Sequence, residues 1–226
     1  MRDFELVVAR HQENLNWLRR VPPHYAVAVY NKGCPPDQLP PRRHQQLIPL
    51  PNVGREDSAY LSHIVDRYET LADLTVFAQG KPFDHVPSFH RHLRDITTGR
   101  LRVRPFAWLG FIIDEDDAAG RLLFQKWVPG EVLPLRAFWH ALWGRQPPTR
   151  VVFYPSAHFA VRATHIRAQP RSFYEKALQL SQTMPHAAHC FERTWDQVFA
   201  VDGVPPAYRT RGKPVYLRNI RRLQER

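Results

Sequence analysis

Two turns of this chain concentrate the residue types that bind and transform anionic ligands. One is Asn52-Val53-Gly54-Arg55-Glu56; the other runs from Gln79-Gly80 to Pro82-Phe83-Asp84-His85. An arginine neutralises phosphate, the amides of Asn52 and Gln79 can hydrogen-bond a sugar or a base, and an aspartate beside a histidine can move a proton or ligate a metal. These groups locate a site and leave its reaction open. The stretch between the turns must bring them together. Tyr60, Leu61, Ile64, Val65 and Tyr68 follow helical spacing, which predicts an amphipathic helix over 55–68 lying on a core. Leu74, Val76 and Phe77 predict a short strand ending at Gln79-Gly80. Ligand sites of open α/β sheets lie beyond the carboxyl ends of strands, so the second turn is where a ligand is expected.

The preceding elements point to the same rim. Leu6–Ala9 reads as a buried strand, 13–20 as a short helix stopped by Pro22-Pro23, and Tyr25–Tyr30 as a second strand ending at Asn31-Lys32-Gly33. A strand, a helix and a strand in about thirty residues is the size of a right-handed crossover, which implies a parallel sheet. Residues 34–51, with six prolines, read as a loop.

Downstream, 88–98 reads as a short polar helix whose His90 and His92 point apart, as surface histidines. Phe106–Ile113 runs into Asp114-Glu115-Asp116-Asp117. Asp114 and Asp116 could present two carboxylates to a Mg²⁺ or Mn²⁺ ion holding a diphosphate. The competing reading is a polar hairpin turn with Leu122-Leu123-Phe124 as return strand. Leu135, Phe138, Trp139, Leu142 and Trp143 predict a core-facing helix ended by Gly144. Val151–Tyr154 reads as a strand that His158–Val161 continues or pairs with. Ser172 and Glu175 have capping-box spacing at the start of a helix to about Met184, and 186–199 reads as a final helix.

The bulk numbers bound the class. The chain has 226 residues, of which 43% are hydrophobic, enough for one domain with a sizeable core. No apolar run approaches the eighteen or so residues of a membrane span, and the first residues lack a secretory pattern, so a cytoplasmic protein is expected. Cys34 and Cys190 match no metal or disulfide spacing. The net charge of +11 suits an anionic partner. From Arg209 to Arg226 there are seven basic residues and one acid, which reads as a basic tail (209–226) beyond a single domain (1–208). No aromatic-interleaved motif supports nucleic acid, which is disfavoured. The dinucleotide, P-loop, zinc-protease and α/β-hydrolase motifs are also missing.

Read as ordered motifs, Ala9-Arg10 with Glu13, Asn14 and Trp17, Val29–Gly33, Leu50–Glu56, Val76–Gly80 and Pro82–His85 resemble the family catalogued as domain of unknown function 3431. His158–Val161 and Phe191–Trp195 resemble its later signatures. The layout of that family resembles the glycosyltransferase A (nucleotide-diphospho-sugar transferase-like) fold: a single α/β domain, a mainly parallel sheet flanked by helices, and a mixed second half. The resemblance implies a nucleotide sugar or other anionic small molecule at the rim, a glycan as acceptor, and a divalent cation on the diphosphate. Arg10, Lys32 and Arg55 would neutralise phosphate, Asn31, Asn52, Gly54, Glu56 and Gln79 would line the ligand, and Asp84 and His85 would be catalytic. The strand that the resemblance would end in Asp-x-Asp ends in Ala78-Gln79-Gly80, leaving Asp84 and the Asp114, Asp116 pair as the available acids. Two other readings stand beside this one: a glycan- or nucleotide-binding module without turnover, and an anionic-surface or nucleic-acid contact through the basic tail.

Overall fold

A computed structural model describes residues 3–36, 39–42, 44–209 and 212–217. Four strands come first and run parallel: β1 (Phe4–Arg10), β2 (Tyr25–Asn31), β3 (Gln45–Pro49) and β4 (Leu74–Gln79). A 3₁₀ turn, Asn16–Arg20, lies between β1 and β2, and helix α1 (Glu56–Arg67) between β3 and β4. After α2 (Phe89–Thr97) come β5 (Phe106–Trp108), β6 (Ile112–Asp117), α3 (Phe124–Trp127), α4 (Leu135–Trp143), β7 (Arg150–Phe153) and β8 (Phe159–Arg162). The chain continues through α5 (Ala163–Ile166), α6 (Arg171–Thr183), α7 (Ala187–Glu192), α8 (Trp195–Val198) and β9 (Val215–Tyr216). The main sheet has the order β3-β2-β1-β4-β8-β5, with β8 antiparallel to both neighbours; β7-β6-β9 form a small antiparallel sheet. This is the α/β protein with a mainly parallel sheet that the sequence predicts.

The apolar alternation in the central strands explains the layers. Leu6, Val8, Val27, Val29, Val76 and Ala78 pack with Leu15, Leu18 and α2 on one face. Val7, Ala9, Ala28, Tyr30 and Phe77 pack with α1, α6, α7 and α8 on the other. Phe159 continues that second layer, its ring centroid 5.1 Å from Phe77 and 5.0 Å from Trp195. Fully burying each such side chain is worth about 1.5–3 kcal/mol, so the aromatic layer fixes how the second half sits on the parallel half.

Several expectations need correction. The proline-rich stretch contains β3, an edge strand where Pro49 can end the run and Leu47 stays exposed while Ile48 packs inward. The acidic run is strand β6 itself, and no return strand follows: Leu123 flanks α3, whose first residue is Phe124. β8 joins the main sheet beside β4 while β7 pairs with β6, so the two do not pair. Helix α6 starts at Arg171, which places Ser172 inside its first turn, and Glu175 pairs with Arg171 at 3.1 Å without a capping box. The predicted final helix breaks at Arg193-Thr194, where the Arg193 side chain bonds Asp116 and Thr194 leaves helical backbone angles at φ −137°. His90 is buried, with Nε2 2.9 Å from the Trp17 carbonyl, and His92 is half-buried; neither is the surface histidine expected.

Candidate functional site

All four parallel strands deliver their carboxyl ends to one edge, and the order reverses between β1 and β4, since β2 and β3 lie on one side of β1 and β4 on the other. Three turns crowd this switch point. A Cβ at Gly33 would overlap the His11 carbonyl oxygen, and one at Gly80 would stand 2.6 Å from Glu13 Oε2. The two glycines therefore let the turns after β2 and β4 press on the turn after β1 from both sides. Polar bonds lock the three together. Arg10 donates through Nε to the Glu13 carbonyl at 2.9 Å and through Nη1 to the Cys34 carbonyl at 2.7 Å and to Asn31 Oδ1. Asn31 Nδ2 donates to the Gly33 carbonyl at 2.7 Å, and Glu13 Oε2 accepts the His11 and Gln12 amides at 2.7 and 3.1 Å. Trp17 Nε1 reaches the Gly80 carbonyl at 2.8 Å.

Three of the predicted ligand residues thus act first as braces. Arg10 and Asn31 are buried within the turn. The Lys32 ammonium has three donors, and they meet the Val53 carbonyl at 2.8 Å, the Arg55 carbonyl at 2.5 Å and Ser58 Oγ. Burial pulls its pKa down. Lys32 ties the loop carrying Asn52 and Gly54 to the end of β2.

The groups that face open space are different ones. A cavity of about 450 Å³ lies over the ends of β1 and β4, and it is lined by the exposed side chains of His11, Asn52, Arg55, Lys81, Asp84 and His85 together with the more buried Arg10, Glu13, Lys32, Glu56 and Gln79 and with Gly54. Asn52 Nδ2 lies 3.4 Å from His11 Nε2. Arg55 is exposed and its Nε is 4.0 Å from Glu56. Asp84 pairs with Lys81 at 3.0 Å, and both side chains are mostly exposed. The His85 ring lies 5.9 Å from that of His158, which is buried and receives the Gln79 amide at Nε2, 3.4 Å away. Burial pushes the His158 pKa down to about 3, with proximity to His85 adding to the effect, so His158 is a neutral support under the wall.

A second cavity of about 410 Å³ opens from the first and shares Arg55, Glu56, Gln79 and His85 with it. The rest of its wall comes from the small sheet and the helices after it: Ile112, Asp114, Leu123, Phe124, Trp127, Pro155, Ala188, His189, Glu192, Arg193 and Tyr216.

The predicted metal pair divides. Asp114 lines this second cavity and its Oδ1 accepts the Glu115 amide at 2.8 Å. Asp116 is fully buried. Its Oδ1 accepts the Leu122 and Leu123 amides at 3.1 Å each, and its Oδ2 accepts the Phe124 amide at 2.9 Å and Arg193 Nη2 at 2.7 Å. Arg193 also stacks over Phe153 at 4.7 Å. Asp116 is an anchor for the chain that leads into α3. Among the described residues no group of three or more His, Cys, Asp or Glu is placed to hold a metal ion.

Sequence reasoning overlooked His11 and Lys81 as wall residues, Trp127, His189, Glu192 and Tyr216 of the second cavity, and Asp57. Asp57 is buried in the first turn of α1, accepts the Arg55 amide at 3.1 Å, and has its pKa raised to about 7 by burial and by neighbouring Glu56. Trp127, in a Trp-Val-Pro-Gly sequence, was the one available signal, an aromatic too large for a turn without a partner. Of the basic tail, Val215–Tyr216 pair with β6 and Arg209 pairs with Asp202, while 210–211 and 218–226 lie outside the described residues. Among the described residues no helix is long and apolar enough to cross a membrane.

No curated protein matches the sequence. The segment from β1 to just beyond α2 holds every residue of the first cavity, whereas the later motifs at His158–Val161 and Phe191–Trp195 stand outside it. That segment, residues 6–101, matches the family model described as Protein of unknown function (DUF3431), and the match supports that family for this chain.

Proposed function

We propose that the rim cavity binds a nucleotide sugar and that the protein is glycosyltransferase-like. The observation that carries this reading is the polar cavity at the switch point of the sheet, where open α/β proteins hold phosphorylated ligands. The antiparallel β8 and the mixed second half accord with the layout that the glycosyltransferase A resemblance implies. In this reading Arg55, with Lys81 on the same wall, neutralises the diphosphate, and Asn52, His11 and Gln79 hydrogen-bond base or sugar. The acceptor hydroxyl gives its proton to His85, the hydroxyl oxygen bonds the anomeric carbon, and the bond from that carbon to the diphosphate oxygen breaks, releasing the nucleoside diphosphate. Asp84, exposed and paired with Lys81, borders the same cavity. Among the described residues the acids do not converge as a metal site requires, with Asp116 already bonded to the four amides of Asp117, Leu122, Leu123 and Phe124 and to Arg193, so no step is assigned to a cation.

Thermal shift of the purified protein against nucleoside diphosphates and nucleotide sugars, with and without Mn²⁺, tests the reading. A nucleotide at a hundred times its dissociation constant should add about 2.7 kcal/mol of stability. Stabilisation by one nucleotide, lost in Arg55→Ala, is the expected result. Silence from every nucleotide removes the reading. Stabilisation without release of nucleoside diphosphate from any sugar donor favours the module without turnover, for which the strand end without an acid at Ala78-Gln79-Gly80 speaks.

A further inference from the structure

We infer that the second cavity is a binding site for a polyhydroxylated ring, a saccharide seated with its apolar face on Trp127. The two chambers of the groove differ in chemistry. The first is polar, its cations and amides standing beside the carboxylates of Glu13, Glu56 and Asp84, while the second is mainly apolar, with Ile112, Leu123, Phe124 and Pro155 in its lining. At its mouth stand Trp127, 77% exposed, and Tyr216, 60% exposed, on separate elements, α3 and β9. Large aromatics left open beside a cavity offer flat apolar faces at low cost in conformational entropy, and they are unusual in a folded chain without a partner.

The polar groups among them narrow the ligand. Asp114 and Glu192 line the same chamber, and Glu56 stands on the wall shared with the first. Carboxylates only accept hydrogen bonds, so they select hydroxyl donors; of the two guanidinium groups on the same wall, Arg193 is already held by Asp116 and Glu192, and Arg55 stands on the side shared with the first chamber. A ring that is apolar on its face and carries hydroxyl groups on its edge satisfies both walls; a nucleotide phosphate or a plain hydrocarbon satisfies one. Naming this saccharide the acceptor of the reaction rests on the proposed transfer, since a hydroxyl reaching the shared wall at Glu56 and His85 would meet the sugar end of a donor in the first chamber.

Part of the chamber wall is fixed by the Asp116 anchor. Asp116 fixes the amides of Leu122, Leu123 and Phe124, directly before Trp127, and fixes Arg193 beside Glu192. The platform is therefore preorganised by a buried ion pair distinct from the polar chamber.

Ligand-observed saturation-transfer NMR on the full chain tests this without any need for turnover. The probes are cellobiose, maltose, lactose and chitobiose, with cyclohexanol and inorganic phosphate as controls, each with and without uridine diphosphate. At least one disaccharide should show saturable transfer, competed by none of the controls. Trp127→Ala should weaken it at least tenfold, Trp127→Phe should restore most of it, and Asp114→Asn should weaken it several-fold. Trp127 is exposed, so these variants keep the fold. No saturable signal from any disaccharide in either condition, or an unchanged signal in Trp127→Ala, overturns the inference; so does saturable binding by cyclohexanol alone. The disaccharide arms without nucleotide give their answer even if no nucleotide binds, so failure of the transferase reading and failure of this site are separable.

Discussion

Two segments of this protein, the turn Lys81–His85 and the end of strand β6 at Asp114–Asp117, each offer carboxylates that sequence alone makes candidates for chemistry, and they differ in physics. Lys81–His85 leaves its charges at the surface: Lys81 and Asp84 pair with each other at 3.0 Å and border a cavity. Asp114–Asp117 is drawn into the structure: Asp116 is fully buried under amides and a guanidinium, Glu115 pairs with Arg150 at 2.5 Å, and Asp117 holds Arg121 at 2.6 Å. The same division runs through the rim, where Arg10, Asn31 and Lys32 shape the turns while His11, Asn52, Arg55 and His85 face the groove. Polar density at strand ends therefore mixes residues that make the loops with residues that meet a ligand, and only their hydrogen-bond partners separate the two.

The sharpest way to break this comparison is to remove one acid from each segment. Asp116→Ala leaves the Arg193 charge buried without Asp116 and four amides without their acceptor, and breaking a buried pair in this way costs about 3–5 kcal/mol. Asp84→Asn removes an exposed pair, whose loss should stay within about 1 kcal/mol. Urea denaturation of both variants checks the contrast. Equal losses would mean that the two segments are not different in kind.

How much of this was legible in the sequence follows from the same division. Helix α1 and strands β1, β2 and β4 were readable because their apolar residues repeat at the period of their elements, and the rim position followed from strand direction alone. Strand β3 was hidden because only Ile48 of its five residues packs inward and prolines crowd it. The fate of Asp116 was hidden because its partner Arg193 is 77 residues away, and no local spacing encodes such a contact. The second cavity was hidden for a related reason: its walls come from β6, α3, α7 and β9, which only the fold assembles.

A smaller effect sharpens the comparison through pH. Asp57 sits behind the loop of Arg55, and burial raises its pKa to about 7 from an ordinary 3.8. The folded protein therefore holds this proton more tightly than the unfolded chain, so its stabilising contribution is complete below about pH 3.8 and is lost as pH rises through 7. Asp57→Asn stays neutral throughout, keeps an oxygen for the Arg55 amide, and should gain on the wild type across that window, reaching on the order of 2–4 kcal/mol at pH 8. His63 and His158, whose pKa values burial depresses to about 3, contribute the opposite slope, with stability lost as pH falls from 6.5. Both proteins share that slope, so the difference between their melting curves at pH 4 and pH 8 isolates Asp57. A difference independent of pH would show that Asp57 is ionised in the fold.

The smallest change in stability should come with the largest change in binding. Arg55 is exposed, and its closest carboxylate, that of Glu56, stands 4.0 Å away, a separation at which an exposed pair contributes little. Arg55→Ala should therefore melt within about 0.5 kcal/mol of the wild type. Gly80→Ala is its counterpart among the bracing residues: the added Cβ would stand 2.6 Å from Glu13 Oε2 and force the turns after β1 and β4 apart, at a cost of about 1–3 kcal/mol. If the groove holds a diphosphate, Arg55→Ala loses ligand-induced stabilisation while its own melting point stays put, whereas Gly80→Ala lowers the melting point first and weakens binding only as the rim shifts. Measuring both melting points with and without nucleotide places each residue on one side of the division. An Arg55→Ala protein that melts early would move Arg55 among the braces, and the phosphate-binding role would then have to pass to Lys81, the other cation on the open wall.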